Sequence, residues 1–181
     1  MTQKKFIILD RDGVINYDSD EYIKNSDEWV SIKRSIDAIK KLSNKNYHII
    51  VITNQSGINR GLIEYEDFIS IYMKMQNELS EYGAQIDTFL YCPNKPSQKT
   101  NLRKPNTGMY LEASKRLGFD LKESYAIGDS PRDMIAAINS GCTPIGLRTG
   151  NGHLIENDKK LNVKMFDDLL DAVDYILSKE K

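Results

Sequence analysis

The chain has 181 residues, enough for one domain with a sizeable core and short for two. Hydrophobic residues make up 40% and charged residues 28%, which excludes a disordered chain. With 25 Lys and Arg against 26 Asp and Glu the net charge is -1, so no overall positive field recruits nucleic acid or an anionic membrane, and any anion site must be built locally.

Lys5–Leu9 reads as a buried strand that ends at Asp10-Arg11-Asp12-Gly13. Ile32, Ile36, Ile39 and Leu42 recur at helical spacing, and Tyr47–Ile52 is a second buried strand running into Thr53-Asn54-Gln55-Ser56-Gly57. Phe68, Ile69, Tyr72, Met75 and Leu79 mark a longer helix closed by Gly83, with Met73 and Met75 as core or rim residues. Ile86–Tyr91 is a third strand, and residues 92–106 form a polar loop. Thr107 is placed to cap a helix carrying Met109, Ala113 and Leu117, which Gly118 stops. Tyr125–Ile127 is a strand leading to Gly128-Asp129; a short helix follows carrying Met134, Ile135 and Ile138, closed by Gly141. Thr143–Leu147 is the next strand, and Phe166–Leu177 the last helix, with Leu169, Leu170, Val173 and Ile176 inward. Residues 14–31 carry no helical pattern and read as a loop, with Trp29 as a partly buried anchor.

Apolar strands alternating with amphipathic helices predict an α/β fold: a three-layer, Rossmann-like sandwich on a mainly parallel sheet, in one domain over residues 1–181 without a large cap. The apolar runs Phe6–Leu9 and Ile49–Ile52 span four residues each, against about 20 for a membrane helix. The first residues lack the pattern of a secretory signal, and the two cysteines are too few for a disulfide framework, so a reduced, cytoplasmic setting is expected. Near-neutral charge and the missing cap permit a monomer.

In open parallel sheets ligands bind beyond the carboxyl ends of the strands. Asp10–Gly13, Thr53–Gly57 and Gly128–Asp133 all fall at that edge. Asp10 and Asp12 are two apart after a strand, so both carboxylates are expected to face the same way and lie exposed beyond it. Two like charges so close call for a cation, and Mg²⁺ suits oxygen ligands. Asp129 can complete the metal site, with Asp133, four residues on, orienting the groups that touch the ion. Each motif alone is also ordinary turn chemistry. Thr53 and Asn54 can cradle a phosphate or cap a helix. Lys104, held extended by Pro105, can place a compact charge on an anion, and Arg103 adds a planar fork; either can equally be a solvated side chain. Lys95, Lys99, Arg103 and Lys104 make a basic loop that is a solvated surface or a counter-charge for an anionic substrate. His48 flanks a strand and reads as structural, and NQSGINRG lacks the lysine spacing of a P-loop.

Together these segments resemble the haloacid-dehalogenase-like phosphatase superfamily. DRDGV resembles its first motif, VITNQSG its second, RKP its third and GDSPRD its fourth, in order from residue 6 to 133. The resemblance implies Asp10 as nucleophile, Asp12 as acid and base, Thr53 and Lys104 as phosphoryl-group contacts, and Mg²⁺ on Asp10, the backbone carbonyl of Asp12 and Asp129, supported by Asp133. DRDGVIN, TNQSGINRG, YCP, RKPNTGM, IGDSPRDM and LRTG narrow it to the D-glycero-D-manno-heptose-1,7-bisphosphate 7-phosphatase group, related to histidinol phosphatases. That implies removal of the 7-phosphate of a heptose bisphosphate in the supply of ADP- or GDP-heptose for lipopolysaccharide precursors. Asp18, Tyr22, Thr53, Asn54, Gln55, Ser56, Arg60, Arg103 and Lys104 are then the substrate-binding candidates. The alternatives are a phosphatase for histidinol phosphate or another small sugar phosphate, and a phosphate-binding regulatory module without turnover.

The sequence departs from the group at two places. Members commonly hold a structural zinc after YCP; here Cys92 remains, Asn94 stands where a histidine is usual, and no cysteine occurs in 93–104. One soft ligand cannot make a closed tetrahedral site, so zinc is expected to be absent and the loop to be tied by other contacts; His48 and His153 are too distant along the chain to be assumed as ligands. Ser130 stands where some relatives carry a basic residue.

Overall fold

The computed structural model describes residues 4–179. Its elements are β1 (Lys5–Leu9), α1 (Lys33–Asn44), β2 (Tyr47–Asn54), α2 (Ser56–Asn59), α3 (Tyr65–Glu81), β3 (Thr88–Cys92), α4 (Gly108–Leu117), β4 (Tyr125–Gly128), α5 (Pro131–Ser140), β5 (Thr143–Leu147), α6 (Gly152–Asn157), β6 (Lys164–Phe166) and α7 (Leu169–Lys179). All six strands are parallel, in the order β3-β2-β1-β4-β5-β6. The chain winds outward from β1 through β2 to β3, then returns to lay β4 on the other side of β1. The crevice between β1 and β4 is therefore the topological switch point, where such sheets bind ligands.

Alternation along each strand feeds two cores. Ile7 and Leu9, with Ile49 and Val51, pack beneath Ile36, Ile39, Ile71, Met75, Val173 and Ile176 of α1, α3 and α7. Phe6 and Ile8, with Ile50 and Ile52, pack on the other face against Met109 and Ala113 of α4 and Ala136 and Ala137 of α5. Full burial contributes about 1.5–3 kcal/mol per large aliphatic side chain, which is why strands apolar on both faces sit at the centre.

Several details differ from the sequence reading. β3 begins at Thr88, because Gln76 takes both the N–H (3.3 Å) and the carbonyl (3.1 Å) of Ile86 and keeps it out of the ladder. Phe166 ends a three-residue strand that pairs with Leu147, and the last helix starts only at Leu169. Of the apolar residues that mark α3, α4 and α5, Ile69, Leu117 and Ile138 are exposed, since each lies at the edge of a narrower apolar stripe. Thr107 makes no side-chain cap bond to α4, whereas Gly118 closes it in the left-handed region. Trp29 is fully buried in the first core, so the loop 14–31 is anchored there and by Val14 and Ile15. Met75 is buried and Met73 is not.

Candidate active site

The ends of β1, β2 and β4 and the loops beyond them enclose a cleft of about 540 Å³. Asp10 continues the sheet for one residue, its N–H donating to the Ile127 carbonyl of β4 at 2.9 Å. The chain then folds back: the N–H of Ile15 donates to the Arg11 carbonyl at 2.7 Å, and Gly13 adopts a φ of +76°. A Cβ at Gly13 would lie 2.2 Å from Asp129 Oδ2, and one at Gly150 2.1 Å from the same atom. Both turns press onto Asp129, which explains why both positions are glycine.

Asp10, Asp129 and Asp133 each bring one carboxylate oxygen within 4.8 Å of the others, and all three are buried. Lys104 enters this group almost fully buried. Its Nζ lies 3.0 Å from Asp10 Oδ1 and 2.6 Å from Asp133 Oδ1, and donates to the Ile52 carbonyl at 2.7 Å. The peptide of Lys104 is clipped to Asn54: its N–H donates to Asn54 Oδ1 and its carbonyl accepts from Asn54 Nδ2, each at 3.0 Å. The Lys104–Pro105 peptide is cis, within a turn closed by the Asn106 N–H on the Arg103 carbonyl at 2.9 Å. Asp133 Oδ2 accepts from the Ser130 N–H at 3.1 Å and from the Ser130 hydroxyl, forming the capping box of α5. Asp133 is thus held by α5 and Lys104.

Asp129 Oδ2 accepts from the Asn151 N–H at 2.8 Å, while Asp129 Oδ1 is buried without a hydrogen-bond partner. Asp10 Oδ1 accepts from the Arg11 N–H at 2.7 Å. Burial, with the Asp133 carboxylate next, outweighs Lys104 and pushes Asp10 up to about 7. Burial, then Asp10 and Asp133, pushes Asp129 up to about 8. Burial disfavours charge on Lys104, but Asp10 and Asp133 overcome it and hold its ammonium above the usual range. Three buried carboxylates against one lysine leave an excess of negative charge, and the orphaned oxygen of Asp129 faces it. This donor set fits a divalent, oxygen-loving cation.

The expectation that Asp10 and Asp12 lie exposed and face together is corrected. Asp10 is only 6% exposed. Asp12 turns away because Arg11 folds over it, donating from Nε at 2.9 Å and from Nη2 at 2.8 and 2.9 Å. Asn16 Nδ2 at 3.0 Å and Gln55 Nε2 at 2.8 Å complete its partners, and Gln55 Nε2 also donates to Thr53 Oγ1 at 2.9 Å. Burial works against ionised Asp12, yet Arg11 and these hydrogen bonds hold its carboxyl below the usual range. Its side chain is outside the group of three carboxylates.

Asp18, Tyr22, Asn54, Gln55, Ser56, Arg60 and Arg103 line the same cleft with Thr53. Lys95 and Lys99 are not among its walls. The loop after β3 is tied by polar contacts: Cys92 Sγ to Asn94 Oδ1 (3.4 Å), Arg103 Nη1 to the Asn94 carbonyl (3.0 Å), and the Lys95 N–H to Gln98 Oε1 (2.7 Å). His48 stacks on Phe6 with ring centres 5.0 Å apart, and His153 lines a separate hollow beside Thr149 and Gly150. Arg11, Asn16, Arg132 and Asn151 are site residues that the sequence reading passed over. Asn151 holds Asp129 through its N–H and Asp18 Oδ2 through its side chain (2.9 Å); its signal was its place directly after LRTG.

The polynucleotide kinase 3 phosphatase family model matches residues 5–143. The D-glycero-beta-D-manno-heptose-1,7-bisphosphate 7-phosphatase of Bordetella bronchiseptica is 42% identical over 148 residues, 82% of this chain and 83% of its own. That of Pseudomonas putida is 39% identical over 166 residues, 91% of this chain and 95% of its own. This chain belongs to the heptose-bisphosphate phosphatase family. The family's haloacid-dehalogenase-like fold is present throughout. The crystal structure of the B. bronchiseptica heptose bisphosphate phosphatase, complexed with magnesium and phosphate, matches with a TM-score of 0.93 at 37% identity, over 97% of this chain and 99% of that one. The Burkholderia thailandensis heptose bisphosphate phosphatase matches with a TM-score of 0.76 at 31% identity, over 97% and 100%.

Proposed function

We propose that this chain removes the 7-phosphate of D-glycero-D-manno-heptose 1,7-bisphosphate, supplying ADP- or GDP-heptose for lipopolysaccharide precursors. One observation carries the reading: a buried Asp10, set against Asp129 and Lys104, forms the floor of a cleft whose walls carry Arg60 and Arg103. A phosphate at Asp10 then has cationic walls beside it for a second phosphate. Similarity to enzymes named for this reaction, over most of both chains, supports the same substrate.

Phosphate monoesters hydrolyse so slowly that catalysis must remove more than about 20 kcal/mol of barrier. Mg²⁺, held by the carboxylates of Asp10 and Asp129 and the backbone carbonyl of Asp12, supplies the positive charge that lets an anionic ester meet an anionic attacker. Asp10 Oδ2, which carries no hydrogen bond among the described residues, forms the bond to phosphorus as the bond to the sugar oxygen breaks. Asp12 gives that oxygen its proton. The negative charge of the incoming phosphate raises the proton affinity that Arg11 otherwise depresses. Asp12 then takes a proton from the water that cleaves the aspartyl-phosphate, releasing inorganic phosphate and restoring Asp10. Thr53 Oγ1 contacts the transferring group. The Lys104 ammonium already serves Asp10, Asp133 and the Ile52 carbonyl, so it acts mainly by charge at Asp10.

Phosphate release from heptose 1,7-bisphosphate, histidinol phosphate, other sugar monophosphates and a DNA 3′-phosphate, with and without Mg²⁺, tests the reading. Phosphorus NMR shows which phosphate leaves. Mg²⁺-dependent loss of the 7-phosphate is expected. Loss of the 1-phosphate, faster turnover of another ester, or binding without turnover overturns it.

A further inference from the structure

Gln55 lines the cleft, yet its side chain is spent on the protein. Its backbone N–H donates to the Cys92 carbonyl at 2.8 Å, which carries the β2–β3 ladder one residue past Asn54 and fixes the chain just before α2 begins. The residue is buried, and its amide reaches across to the turn after β1. Oε1 accepts from Arg11 Nη2 at 3.2 Å, while Nε2 donates to Asp12 Oδ2 at 2.8 Å and to Thr53 Oγ1 at 2.9 Å. The amide fits only this way round, because a guanidinium only donates and the carboxylate that Arg11 keeps ionised only accepts. Both amide hydrogens are therefore committed, and Gln55 has no donor left for a substrate. The consequence falls on Thr53. A hydroxyl has one hydrogen to give. Since Oγ1 accepts from Gln55, that hydrogen points elsewhere, and the Thr53 side chain has no other hydrogen bond among the described residues. Thr53 and Asp10 line the same cleft, so the free hydrogen is available to an oxygen that enters it.

We infer that Gln55 is a positioning residue and not a substrate contact: one amide locks the Asp12 carboxylate and commits the Thr53 hydroxyl to donate to the transferring phosphoryl group. A donor already aimed where charge gathers needs no reorganisation at the moment of reaction. Without the amide, the Thr53 hydroxyl is free to turn its hydrogen on Asp12, and Asp12 is left to Arg11 and Asn16 alone. The inference rests on the phosphatase reading, in which Asp12 protonates the leaving oxygen and Thr53 touches the phosphoryl group. It adds to that reading the side chain that sets both.

The test uses Gln55→Met, which nearly keeps the volume of the buried side chain and removes both donors, and Gln55→Glu, which keeps an acceptor for Arg11 but has no N–H for Thr53. Two esters separate the two arms: heptose 1,7-bisphosphate needs a proton on its leaving oxygen, and an aryl phosphate does not. In both variants kcat for the aryl phosphate is expected to fall about 10-fold, through Thr53 alone, and kcat for the heptose ester about 100-fold, through Thr53 and Asp12 together, while KM changes much less. In a Thr53→Val background, adding Gln55→Met should lower the aryl-phosphate rate by less than about 2-fold. Circular dichroism checks the fold, and if Gln55→Met does not fold, Gln55→Glu takes its place in every comparison. Equal losses on the two esters, a raised KM with kcat unchanged, wild-type rates in Gln55→Glu, or losses that multiply with those of Thr53→Val overturn the inference alone. Undiminished turnover of the heptose ester by Thr53→Val or Asp12→Asn overturns the roles given to those residues, and the inference with them.

Discussion

At Asp10 and Asp129 the fold works against the charge that the chemistry requires. Both are pushed above the ordinary carboxylate value of 3.8, Asp10 to about 7 by burial and then Asp133, and Asp129 to about 8 by burial and then Asp10 and Asp133. The ion-free native state therefore binds protons that the unfolded chain has released, and these two groups subtract stability as pH rises from about 4 to about 8. A divalent ion removes that penalty where both are ionised. Mg²⁺ is expected to raise Tm more at about pH 8.5 than at about pH 5.5. Equal shifts in differential scanning calorimetry would mean that these carboxylates do not hold it. Asp10→Asn should abolish phosphate release while the circular dichroism spectrum is kept; appreciable turnover sinks its role as nucleophile. Asp12→Asn should lower kcat for a sugar phosphate about 10²- to 10⁴-fold, and much less for an aryl phosphate whose leaving group needs no proton. Equal losses on both esters would refute the proton-donor role.

At the scale of elements, the turns after β1 and β5 are shaped around one carboxylate. Gly13→Ala meets Asp129 Oδ2 and a φ of +76° at once, so it should cost about 1–3 kcal/mol and weaken Mg²⁺ binding. Gly61→Ala has a φ of +69° but nothing within 4 Å, and should cost stability without touching Mg²⁺ affinity. Titration calorimetry that finds the two alike would sever the link between the Gly13 turn and the metal site. The strands carrying these turns were readable in the sequence because each is an unbroken apolar run. The short elements α2, α6 and β6 were not, since four, six and three residues hold no period. Strand ends could be placed at one edge because parallel sheets put them there. The turn of Asp12 onto Arg11 and Gln55 could not, because it depends on a partner 43 residues away.

For the whole molecule, the reversal of strand order between β1 and β4 creates the crevice, and two irregular segments cover it in place of a separate cap. No helix among the described residues is long and apolar enough to cross a membrane. Sedimentation is expected to give the mass of one chain. Tyr65, Ile69 and Met73 form an exposed apolar stripe on α3, and a dimer in that experiment would point there. Elemental analysis of the purified protein should find no stoichiometric zinc, and chelation should stop turnover in a way that Mg²⁺ restores. Bound zinc would show that the Cys92–Asn94 contact is not the whole anchor of the following loop.

The twofold grip of Asn54 on the peptide of Lys104 has a consequence for how this scaffold diversifies. An amide at the tip of β2 fixes the buried ammonium from behind, so the intervening stretch can be lengthened, shortened or rewritten without dislodging it. Selectivity for new esters can drift in that stretch while the cutting apparatus stays in register.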